Sequence, residues 1–521
     1  MSLTAGRAPV THPDDRRAGP VRDLVAAMVA NPAGETSASV YETGRLVGLA
    51  PWLPGHDVRV SWLLDRQRAD GGWGGPGGYA LVPTLSATEA LLTVLRRGDH
   101  GPAAALAGAA HRGLAFLAGA LDAGTPPDLP ATDLILPALR EAVERHLAQP
   151  PAGLAEWAGA RLPLPAGLDP GRLNRVRGLL AAGRPVPEKL AHALEVGGEQ
   201  ARRAAGVRPA EAGAVGASPA ATAAWLGRPD PGPALDYLHA VGGRGPVPCA
   251  SPITVFERAW VLGILARAGV PLTVPESLVA ELRAAVGVAG AATGPGLPAD
   301  ADTTSVTLYA LARLGRPLDV SRLDPYDTGR HFCTWPGEDG ASVTTNAHVL
   351  DALGQHPAHL GVAATVDRVA GWLVERQEPD GRWGDRWHAS AYYATYCVLL
   401  ALADHAPGAA ARAAVDRAVG WLLETQRADG SWGRWGGTAE ETAYAVLALA
   451  GAGRPEDTRV AAAIVRGRHR LSEWDGRADG PALWHDKDLY RPTLIVHAAV
   501  LAASWSDGES AGAGNTMIRI A

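Results

Sequence analysis

The sequence predicts an all-α protein in which antiparallel helix pairs close into α-barrels, and three observations support this prediction. The motif Gln-x-x-Asp-Gly-x-Trp-Gly occurs three times, beginning at Gln67, Gln377 and Gln426. A stretch with apolar residues at i, i+3, i+4 and i+7, which is typical of an amphipathic helix, follows each motif, at 88–95, 392–402 and 442–449. Strand signals are scarce, because Ala and Leu dominate while Val and Ile are dispersed through the helical patterns.

Each repeat predicts a helix, a turn and a second helix, in that order along the chain. A short segment with its own Trp precedes each motif, and the Asp-Gly pair suits a tight turn after that helix. We expect the Gln amide to satisfy free backbone groups at a neighbouring helix end, with the Trp ring covering it. The motif residues thus indicate clamps between helix pairs rather than binding sites.

The length of 521 residues favours two or three domains, each large enough to enclose its own core. Gly98 and Gly315 follow periodic runs and are typical of glycines that end helices. The periodic signal is weak between residues 99 and 250. The segments 200–220 and 285–299 are rich in Gly, Ala and Pro, and they predict loops or linkers.

Composition excludes several classes of function. The net charge is −6, so the basic excess that nucleic-acid binding requires is absent. Three cysteines without Cys-x-x-Cys spacing argue against a disulfide framework or a structural zinc site, and they fit a reducing compartment. The sequence shows no signal-peptide pattern at its start and no apolar run as long as a membrane span. We therefore expect a cytoplasmic protein without a transmembrane segment.

One segment, 297–311, carries the strongest chemical signal. Asp300 and Asp302 stand just before an apolar-periodic helix, and Thr303 and Thr304 lie in its first turn. Simple helix capping explains these residue types, because Asp and Thr satisfy free N–H groups at a helix start. Two carboxylates one residue apart could also bind Mg²⁺ or share a proton. The residues alone leave these interpretations open.

The chain resembles the class II terpene cyclases, whose signature is Asp-x-Asp-Asp, along most of its length. The three repeats and the acidic box match this family, and further segments match it in the same order, at 39–45, 128–133, 186–195, 218–222, 256–260 and 484–492. The resemblance implies two α-barrel domains, β and γ, with the substrate cavity between them. It predicts residues 1–50 as the N-terminal segment of the β domain, 51–265 as the inserted γ domain and 266–521 as the β domain that carries the acid.

The resemblance also implies a reaction. An acid protonates the terminal alkene of a prenyl diphosphate, the carbocation cyclises, and the diphosphate is retained. Asp302 is the predicted acid. An alkene is a very weak base, so the acid must be protonated and strong, and burial beside Asp300 would keep a proton there at neutral pH. Asn346 falls where the family has an Asn that contacts the acid, and it is assigned to orient Asp302.

The box departs from the family pattern, since Thr303 replaces the last Asp. The form Asp-x-Asp-Thr-Thr resembles bacterial cyclases that convert farnesyl diphosphate, a C15 substrate, to drimenyl diphosphate, and this is the predicted reaction. The alternative enzyme is a diterpene cyclase that makes a copalyl- or labdane-type diphosphate from geranylgeranyl diphosphate. An alternative from another class is a non-catalytic helical-repeat binding protein, which an exposed Asp302 would favour.

Carbocations in such a cavity need aromatic faces and protection from water. The aromatic candidates, each of which could equally be core packing, are Trp260, Tyr309, Trp335, Trp387, Tyr392 and Tyr444. His192 matches a His that in plant members holds a water with an Asn for the final deprotonation. Cys249 stands where those members have the Asn, so the final base stays open.

The diphosphate requires cationic groups. Lys487 is the first candidate because its segment matches the family closely, and Arg175 and Arg177 lie where the family has basic residues. Mg²⁺ is expected as the counterion of the diphosphate, and Asp133 is the nearest match to the acidic patch of the family. Beyond the prenyl diphosphate no partner is implied, and a homodimer stays open.

Overall fold

The computed structural model describes residues 13–122, 126–474, 480–505 and 518–521, and helices dominate it, which confirms the predicted all-α fold. The helices are α1 (Pro13–Ala30), α2 (Val40–Leu49), α3 (His56–Asp65), α4 (Leu81–Arg97), α5 (Ala103–Ala120), α6 (Thr132–Leu147), α7 (Pro170–Ala181), α8 (Pro219–Leu226), α9 (Pro233–Gly242), α10 (Thr254–Arg267), α11 (Glu276–Ala285), α12 (Ala301–Arg313), α13 (Val343–Gly354), α14 (Val362–Glu375), α15 (Ala391–His405), α16 (Ala409–Glu424), α17 (Ala439–Gly451), α18 (Thr458–Ser472) and α19 (Thr493–Ser504). The tighter 3-10 segments are Gly77–Ala80, Ala155–Trp157, Glu188–Ala201 and Val320–Tyr326. The short strands are β1 (Leu272–Val274), β2 (Trp484–His485), β3 (Leu489–Tyr490) and β4 (Ile518–Ile520), of which β1 pairs in parallel with β4 and β2 antiparallel with β3.

The C-terminal part of the chain forms a barrel of paired helices. Within the described residues, α10, α12, α13, α15, α17 and α19 close a ring, in which each helix packs on the next and α19 packs on α10. Helices α1, α11, α14, α16 and α18 pack against this inner ring. Because an outer segment returns the chain between successive inner helices, the inner helices all begin at the same end of the barrel.

A second, smaller barrel lies earlier in the chain. Its inner ring consists of α2, α4, α6, the 3-10 segment Glu188–Ala201 and α8, which packs back on α2. Helices α3, α5 and α9 each pack beside one inner element, and α7 packs beside both α6 and the 3-10 segment Glu188–Ala201. The chain thus contains two closed helical rings, as the sequence predicts.

The hydrophobic cores divide the chain at other places than the predicted boundaries at residues 50 and 265. One core joins Val21 and Met28 of α1 to residues from Ile253 onwards, including those of α10. Separate cores contain Tyr41, Leu46 and Val47 of α2. Ring closure explains the difference, because α2 fills the place between α4 and α8 while α10 fills the place between α12 and α19.

The repeated motif clamps neighbouring helices together, as its residue types predict. The indole N–H of Trp383, which is fully buried, donates to the Leu373 carbonyl at 2.8 Å. The amide of Gln377 donates to the Gly381 carbonyl at 2.7 Å and to the Ala414 carbonyl at 2.8 Å. The other two copies repeat these contacts. Each motif therefore satisfies backbone carbonyls of two helices at once.

The β2–β3 hairpin, residues 484–490, lies between the two barrels. On one side, the carboxylate of Asp488 accepts hydrogen bonds from the Ser39 hydroxyl at 2.7 Å and from the Tyr41 N–H at 3.0 Å, at the start of α2. On the other side, the His485 N–H donates to the Trp387 carbonyl at 2.9 Å, just before α15. The starts of the inner helices of both barrels therefore face each other across this hairpin.

One stretch of the described residues, Gly77–Arg97, is long and apolar enough to cross a membrane. In its most apolar window, 83% of the residues are buried inside the protein. It includes α4 and forms part of the inner ring of the smaller barrel, so the core of the fold accounts for its apolar character.

Candidate active site

The first carboxylate of the acidic box caps helix α12. Asp300 accepts hydrogen bonds from the Thr303 N–H at 2.6 Å and from the Thr303 hydroxyl at 2.9 Å. Asp300 is only 3% exposed. The capping interpretation is thus correct for Asp300. Thr303, which stands where the family pattern has a further Asp, donates hydrogen bonds to the Asp300 carboxylate.

Asp302 lies in the first turn of α12 and faces a histidine of α13. Its Oδ1 is 2.7 Å from Nδ1 of His348, and the two side chains are 17% and 11% exposed, respectively. Among the described residues, Oδ2 of Asp302 has no hydrogen-bond partner. Asp302 is therefore not an exposed cap, and one of its two oxygens is free to meet a bound molecule.

Burial and neighbouring charges keep protons on this cluster. Burial, reinforced by the Asp302 carboxylate, raises the pKa of Asp300 to about 8. Burial disfavours the charged form of His348, but the Asp302 carboxylate outweighs burial and raises the pKa of His348 well above its usual value. The cluster thus retains protons at neutral pH, which is what an acid catalyst requires.

Asn346 does not contact Asp302, so its predicted orienting role is wrong. Its carbonyl oxygen accepts from the Phe332 N–H at 2.8 Å, and its amide donates to the Phe332 carbonyl at 2.9 Å and to the Ser342 carbonyl at 2.8 Å. These bonds tie a loop to the start of α13. His348, which sequence reasoning missed, lies on the face of α13 that lines the barrel interior. Helical spacing along α13 is the signal that could have found it.

Aromatic side chains surround the Asp302–His348 pair. The Trp260 ring packs edge-on against the His348 ring with centroids 5.4 Å apart, and its N–H donates to the Tyr393 hydroxyl at 2.8 Å. Trp484 of the hairpin packs on Tyr393 with centroids 4.7 Å apart. Trp260 was predicted, whereas Tyr393 and Trp484 were missed. Helices α10 and α15 thus place aromatic rings against His348, and the hairpin adds a third ring beside Tyr393.

The other predicted aromatic residues lie deeper in the barrel or at its mouth. Tyr309 lines the barrel interior beyond the acid, and Tyr444 is fully buried beside the aromatic shell. Trp335 and Trp387 pack edge-on with centroids 5.4 Å apart, and both are partly exposed. The guanidinium of Arg386 lies over the Trp387 ring, 5.3 Å from its centroid. These two tryptophans therefore border the opening rather than the acid.

Tyr392 points away from the barrel interior. Its ring packs on Trp421 of the outer helix α16, with centroids 4.6 Å apart. The predicted place in the cavity is wrong, because the turn of α15 directs position 392 to the outer layer and positions 393 and 396 to the interior.

His192 forms a charged pair with a residue of the hairpin. Its Nε2 is 2.8 Å from Oδ1 of Asp486, and its Nδ1 donates to the Gly216 carbonyl at 2.6 Å. Burial opposes the charged form, yet the Asp486 carboxylate outweighs it and raises the pKa of His192. Oδ2 of Asp486 is buried and accepts no hydrogen bond from the described residues. Burial raises the pKa of the neighbouring Cys249 thiol well above its usual value, so this thiol stays neutral.

Tyr490 of the hairpin senses the charges of both Asp302 and Asp486. Burial raises the pKa of its hydroxyl well above the usual value, and the charges of Asp486 and Asp302 both add to this increase. The hydroxyl is therefore within electrostatic reach of the predicted acid and of the His192–Asp486 pair.

Lys487 is not available to a bound anion, so its predicted role is wrong. Its ammonium donates to Glu42 at 2.5 Å, to Glu195 at 2.9 Å and to the Ser218 hydroxyl at 2.8 Å. The side chain is 1% exposed, and those of Glu42 and Glu195 are 0% and 2% exposed. Three oxygen acceptors satisfy the three N–H groups of the ammonium. Lys487 therefore fastens the hairpin to the smaller barrel.

A charged cleft opens where the mouths of the barrels meet. Arg172 of α7 bonds to Asp133 of α6 at 2.7 Å and to Asp339, in the loop before α13, at 3.1 Å. Arg386 pairs with Asp128 at 2.9 Å. Both arginines thus bridge the two barrels. The cleft combines guanidinium groups, which suit an anion, with carboxylates, which suit a divalent cation.

The predicted Arg175 and Arg177 lie on the same helix as Arg172 but have local partners. Arg175 bonds to Asp169 at 3.1 Å, and Arg177 bonds to Glu141 at 2.6 Å. Neither reaches across the cleft, so their contact with an anion stays a prediction. Arg172, which sequence reasoning missed, reaches across it.

Comparison with known proteins places this geometry in context. Residues 338–488 match the family described as squalene-hopene cyclase C-terminal domain. The ent-copalyl diphosphate synthase of Streptomyces sp. (strain KO-3988) is 47% identical over 494 residues, which cover 92% of this chain and 94% of that protein. The labda-7,13-dienyl diphosphate synthase of Streptomyces clavuligerus is 42% identical over 504 residues, covering 92% and 91%. The solved ent-copalyl diphosphate synthase from Streptomyces platensis is 45% identical, with a TM-score of 0.89, and the match covers 94% of this chain and 99% of that chain.

Proposed function

This chain belongs to the class II terpene cyclases, and we propose that it converts geranylgeranyl diphosphate, a C20 substrate, to a bicyclic copalyl-type diphosphate. The observation that carries the proposal is the partly buried Asp302–His348 pair, beside which aromatic rings pack. Relatives that are 40–47% identical and are named copalyl or labdadienyl diphosphate synthases support the C20 substrate.

The earlier prediction of a C15 substrate depended on the Thr303 variant of the acidic box. Thr303 bonds to the carboxylate of Asp300 through its N–H and its hydroxyl. A hydroxyl that supports a capping carboxylate has no direct bearing on the length of the substrate chain. The relatives therefore outweigh this signal, and the C20 alternative takes precedence over farnesyl diphosphate.

Asp302 acts as the general acid. His348 holds Oδ1, so Oδ2 carries the proton towards the terminal alkene. A hydrogen bond donated by His348 stabilises the carboxylate that forms as the proton leaves, which strengthens the acid. Asp300 is mostly neutral at pH 7, because its pKa is about 8, and it adds little negative charge that would weaken Asp302.

The carbocation then passes beneath aromatic faces. Trp260 and Tyr393 pack beside His348, the partner of the acid, and Trp484 packs on Tyr393. A ring face attracts a cation by roughly 0.5–2 kcal/mol, depending on its exposure to water. The same rings exclude water, which would otherwise capture the cation. Their side chains fix one another through the Trp260–Tyr393 hydrogen bond.

The final proton goes to Asp486. Its Oδ2 lacks a hydrogen-bond donor among the described residues, and His192 holds Oδ1 as an imidazolium. A carbocation is so strong an acid that a carboxylate suffices as the base. In the plant members a His and an Asn hold the water that takes this proton. Cys249 stands in place of that Asn here, so we assign the base to Asp486 instead. The charged pair also fixes the orientation of the accepting oxygen.

The diphosphate lies in the charged cleft. Arg172 and Arg386 supply guanidinium groups, and Lys189 is an exposed cation near Glu338. The carboxylates Asp133 and Asp339 are the oxygen donors that Mg²⁺ prefers, so the donor set fits this ion. Mg²⁺ bound there would neutralise part of the diphosphate charge. The two barrels hold the diphosphate end so that the hydrocarbon end reaches the acid.

Incubation of the purified protein with the C20 and C15 diphosphates in parallel tests the proposal. Products are dephosphorylated and identified by mass spectrometry, with and without a chelator of Mg²⁺. A bicyclic C20 alcohol as the main product is expected. A bicyclic C15 alcohol formed at a higher kcat/KM would restore the farnesyl diphosphate prediction. No product from either substrate with folded protein would favour the binding-protein alternative.

A His348→Gln variant should shift the pH dependence of cyclisation. In the wild type, His348 has a raised pKa, so the pair keeps a proton above pH 6.5 and loses it only at a pH well above that. The variant lacks the histidine whose raised pKa keeps this proton on the pair, so activity should decline at a lower pH as pH rises. The pH profile of kcat/KM checks this shift. An unchanged profile, with lower activity at every pH, would mean that His348 only packs beside the acid.

A further inference from the structure

The proposed substrate has two ends that meet different parts of the chain. Its diphosphate lies in the charged cleft beside Arg386, and its terminal alkene lies at Asp302. Asp385 directly precedes Arg386, and its carboxylate contacts the start of α13, the helix that carries His348. One residue thus joins the loop of the cleft to the helix that carries the partner of the acid.

The carboxylate of Asp385 caps α13 from outside the helix. Its Oδ1 accepts hydrogen bonds from the Val343 N–H at 2.7 Å, from the Thr344 N–H at 3.1 Å and from the Ser342 hydroxyl at 2.9 Å. Its Oδ2 accepts from the Thr344 hydroxyl at 2.9 Å. The N–H groups of a first turn have no partner within the helix, and a negative charge is favourable there. Asp385 therefore holds the start of α13, although it lies 41 residues after Thr344.

The start of α13 sets the position of His348. Thr344, which bonds to Asp385, precedes His348 by one helical turn, so the two side chains lie on the same face of the helix. Nδ1 of His348 is 2.7 Å from Oδ1 of Asp302, and a hydrogen bond is kept only within a narrow range of distance and angle. The position of α13 that Asp385 fixes is therefore the one in which His348 meets the acid.

The same carboxylate shapes the loop that faces the cleft. Oδ2 of Asp385 also accepts from the Trp387 N–H at 2.8 Å, and this bond closes a tight turn around Arg386. The guanidinium of Arg386 pairs with Asp128 at 2.9 Å and with Glu338 at 3.2 Å. The turn thus fixes where the backbone of Arg386 lies, and the two carboxylates fix where its guanidinium points.

Glu338 forms a second connection, to the helix of the acid itself. Its carboxylate accepts from Arg386 and from the Thr334 N–H, and its side chain is 5% exposed. The Thr334 carbonyl accepts from the Ala301 N–H at 3.0 Å, and Ala301 directly precedes Asp302 in α12. The starts of α12 and α13 are thus both tied to the loops around Arg386.

A firm connection between the two ends of the site has a chemical purpose. Binding energy from a part of the substrate that does not react can serve the reaction only if it helps to place the reacting atoms. The diphosphate supplies such energy at Arg386, whereas the alkene reacts at Asp302. Hydrogen bonds join the loops around Arg386 to the helix starts that carry the acid and its partner. The diphosphate can therefore set the position of the alkene at the acid.

We propose that Asp385 is a positioning residue that fixes the distance between the diphosphate site and the acid, and that this distance selects the length of the prenyl chain. The inference rests on the proposed cyclase function. A C20 chain anchored at Arg386 brings its terminal alkene to Asp302, whereas a C15 chain is one prenyl unit shorter and ends before the acid. Five hydrogen bonds engage the carboxylate of Asp385, so it acts through Arg386 and His348 and does not touch the substrate.

Asp385→Asn loosens this connection without removing the helix cap. Asn caps helices about as well as Asp, and its amide oxygen can take the place of Oδ1, which accepts three of the hydrogen bonds. The amide nitrogen then faces the Trp387 N–H, so the bond that closes the turn around Arg386 is lost. Glu338→Gln is a second variant, because its amide oxygen can still accept from the Thr334 N–H while the charge that holds Arg386 is removed.

Asp457→Asn is the matched control. Asp457 caps the outer helix α18 by accepting from the Arg459 N–H at 2.9 Å. The same substitution is thus made at the start of a helix that packs on α16, α17 and α19. Thermal unfolding of the three variants shows whether each keeps its fold.

Steady-state kinetics with the C20 and C15 diphosphates give kcat and KM for each variant. For Asp385→Asn, kcat with the C20 diphosphate should fall by about tenfold, within the roughly 10²-fold that a misplacement of about 1 Å can cost. KM should change little, because Arg386 and Arg172 still bind the diphosphate. The C15 reaction does not use the lost alignment, so the ratio of the C20 to the C15 kcat/KM should fall by about the same factor. Glu338→Gln should change this ratio in the same direction, and Asp457→Asn should keep the wild-type ratio.

Other outcomes overturn the inference. An equal loss with both substrates would mean that Asp385 only stabilises the fold or the acid. A raised KM with an unchanged kcat would assign Asp385 to diphosphate binding alone. A wild type that prefers the C15 diphosphate would instead overturn the proposed C20 substrate, and the connection through Asp385 would then predict that Asp385→Asn lowers the C15 preference.

Discussion

An Asp302→Asn variant should lose cyclisation by a factor of about 10³ or more, within the range for removal of a general acid, while it keeps its fold. The amide has the shape of the carboxyl group, and its oxygen can still accept from His348. It lacks the acidic proton that an alkene requires. Single-turnover formation of the C20 product, measured by mass spectrometry, gives the loss, and thermal unfolding shows whether the fold is kept.

Two matched variants make this result specific. Asp324→Asn changes an exposed Asp of the same barrel and should leave the rate unchanged. Asp300→Asn keeps a residue that caps helices well, so the fold should persist and the loss should be smaller than for Asp302. The assignment of the acid would be reversed if Asp300→Asn abolished the reaction while Asp302→Asn retained it.

Lys487→Met should lower the free energy of unfolding by about 3–5 kcal/mol, the cost of removing one partner from a buried ion pair. The ammonium lies among Glu42, Glu195 and Ser218, and its side chain is 1% exposed. Its loss leaves two buried carboxyl groups without a cation. Urea unfolding at constant pH measures the change.

Lys189→Met is the natural control. The chain has 48 Lys and Arg residues, of which only Lys189 and Lys487 are lysines, and Lys189 is exposed. Its replacement should leave the free energy of unfolding unchanged. Lys487→Arg should not restore stability, because the planar guanidinium does not fit three acceptors arranged around one nitrogen. Unchanged stability of Lys487→Met together with a raised KM would revive the diphosphate role that the sequence predicted.

Local sequence signals predicted most of the fold. The Gln and Trp of each repeat act on backbone groups within one helix pair, so their roles follow from helix chemistry. The limits of the two barrels were harder to predict. Helix α2 closes its ring by packing on α8, and α10 closes the other by packing on α19. Both partners lie far along the chain, so the residues of α2 and α10 alone do not predict them.

The candidate site was predicted in part. Asp300 and Asp302 were found because they stand side by side at a helix start. His348 was missed because its partner lies on a neighbouring helix, and the choice between positions 346 and 348 depends on how α13 is rotated. Lys487 was assigned to an anion from a matching segment, but its chemistry depends on Glu42 and Glu195, which only the folded chain brings to it.

The position of the hairpin bears on how this enzyme can be recombined with its relatives. Residues 484–490 follow the C-terminal barrel in sequence, yet Lys487 and Asp488 bond to the smaller barrel. A chimera that imports only the smaller barrel would set a foreign surface against this hairpin and separate Lys487 and Asp488 from their hydrogen-bond partners. An exchange that keeps these contacts must therefore combine two separate parts of the chain, the smaller barrel and the seven-residue hairpin 484–490.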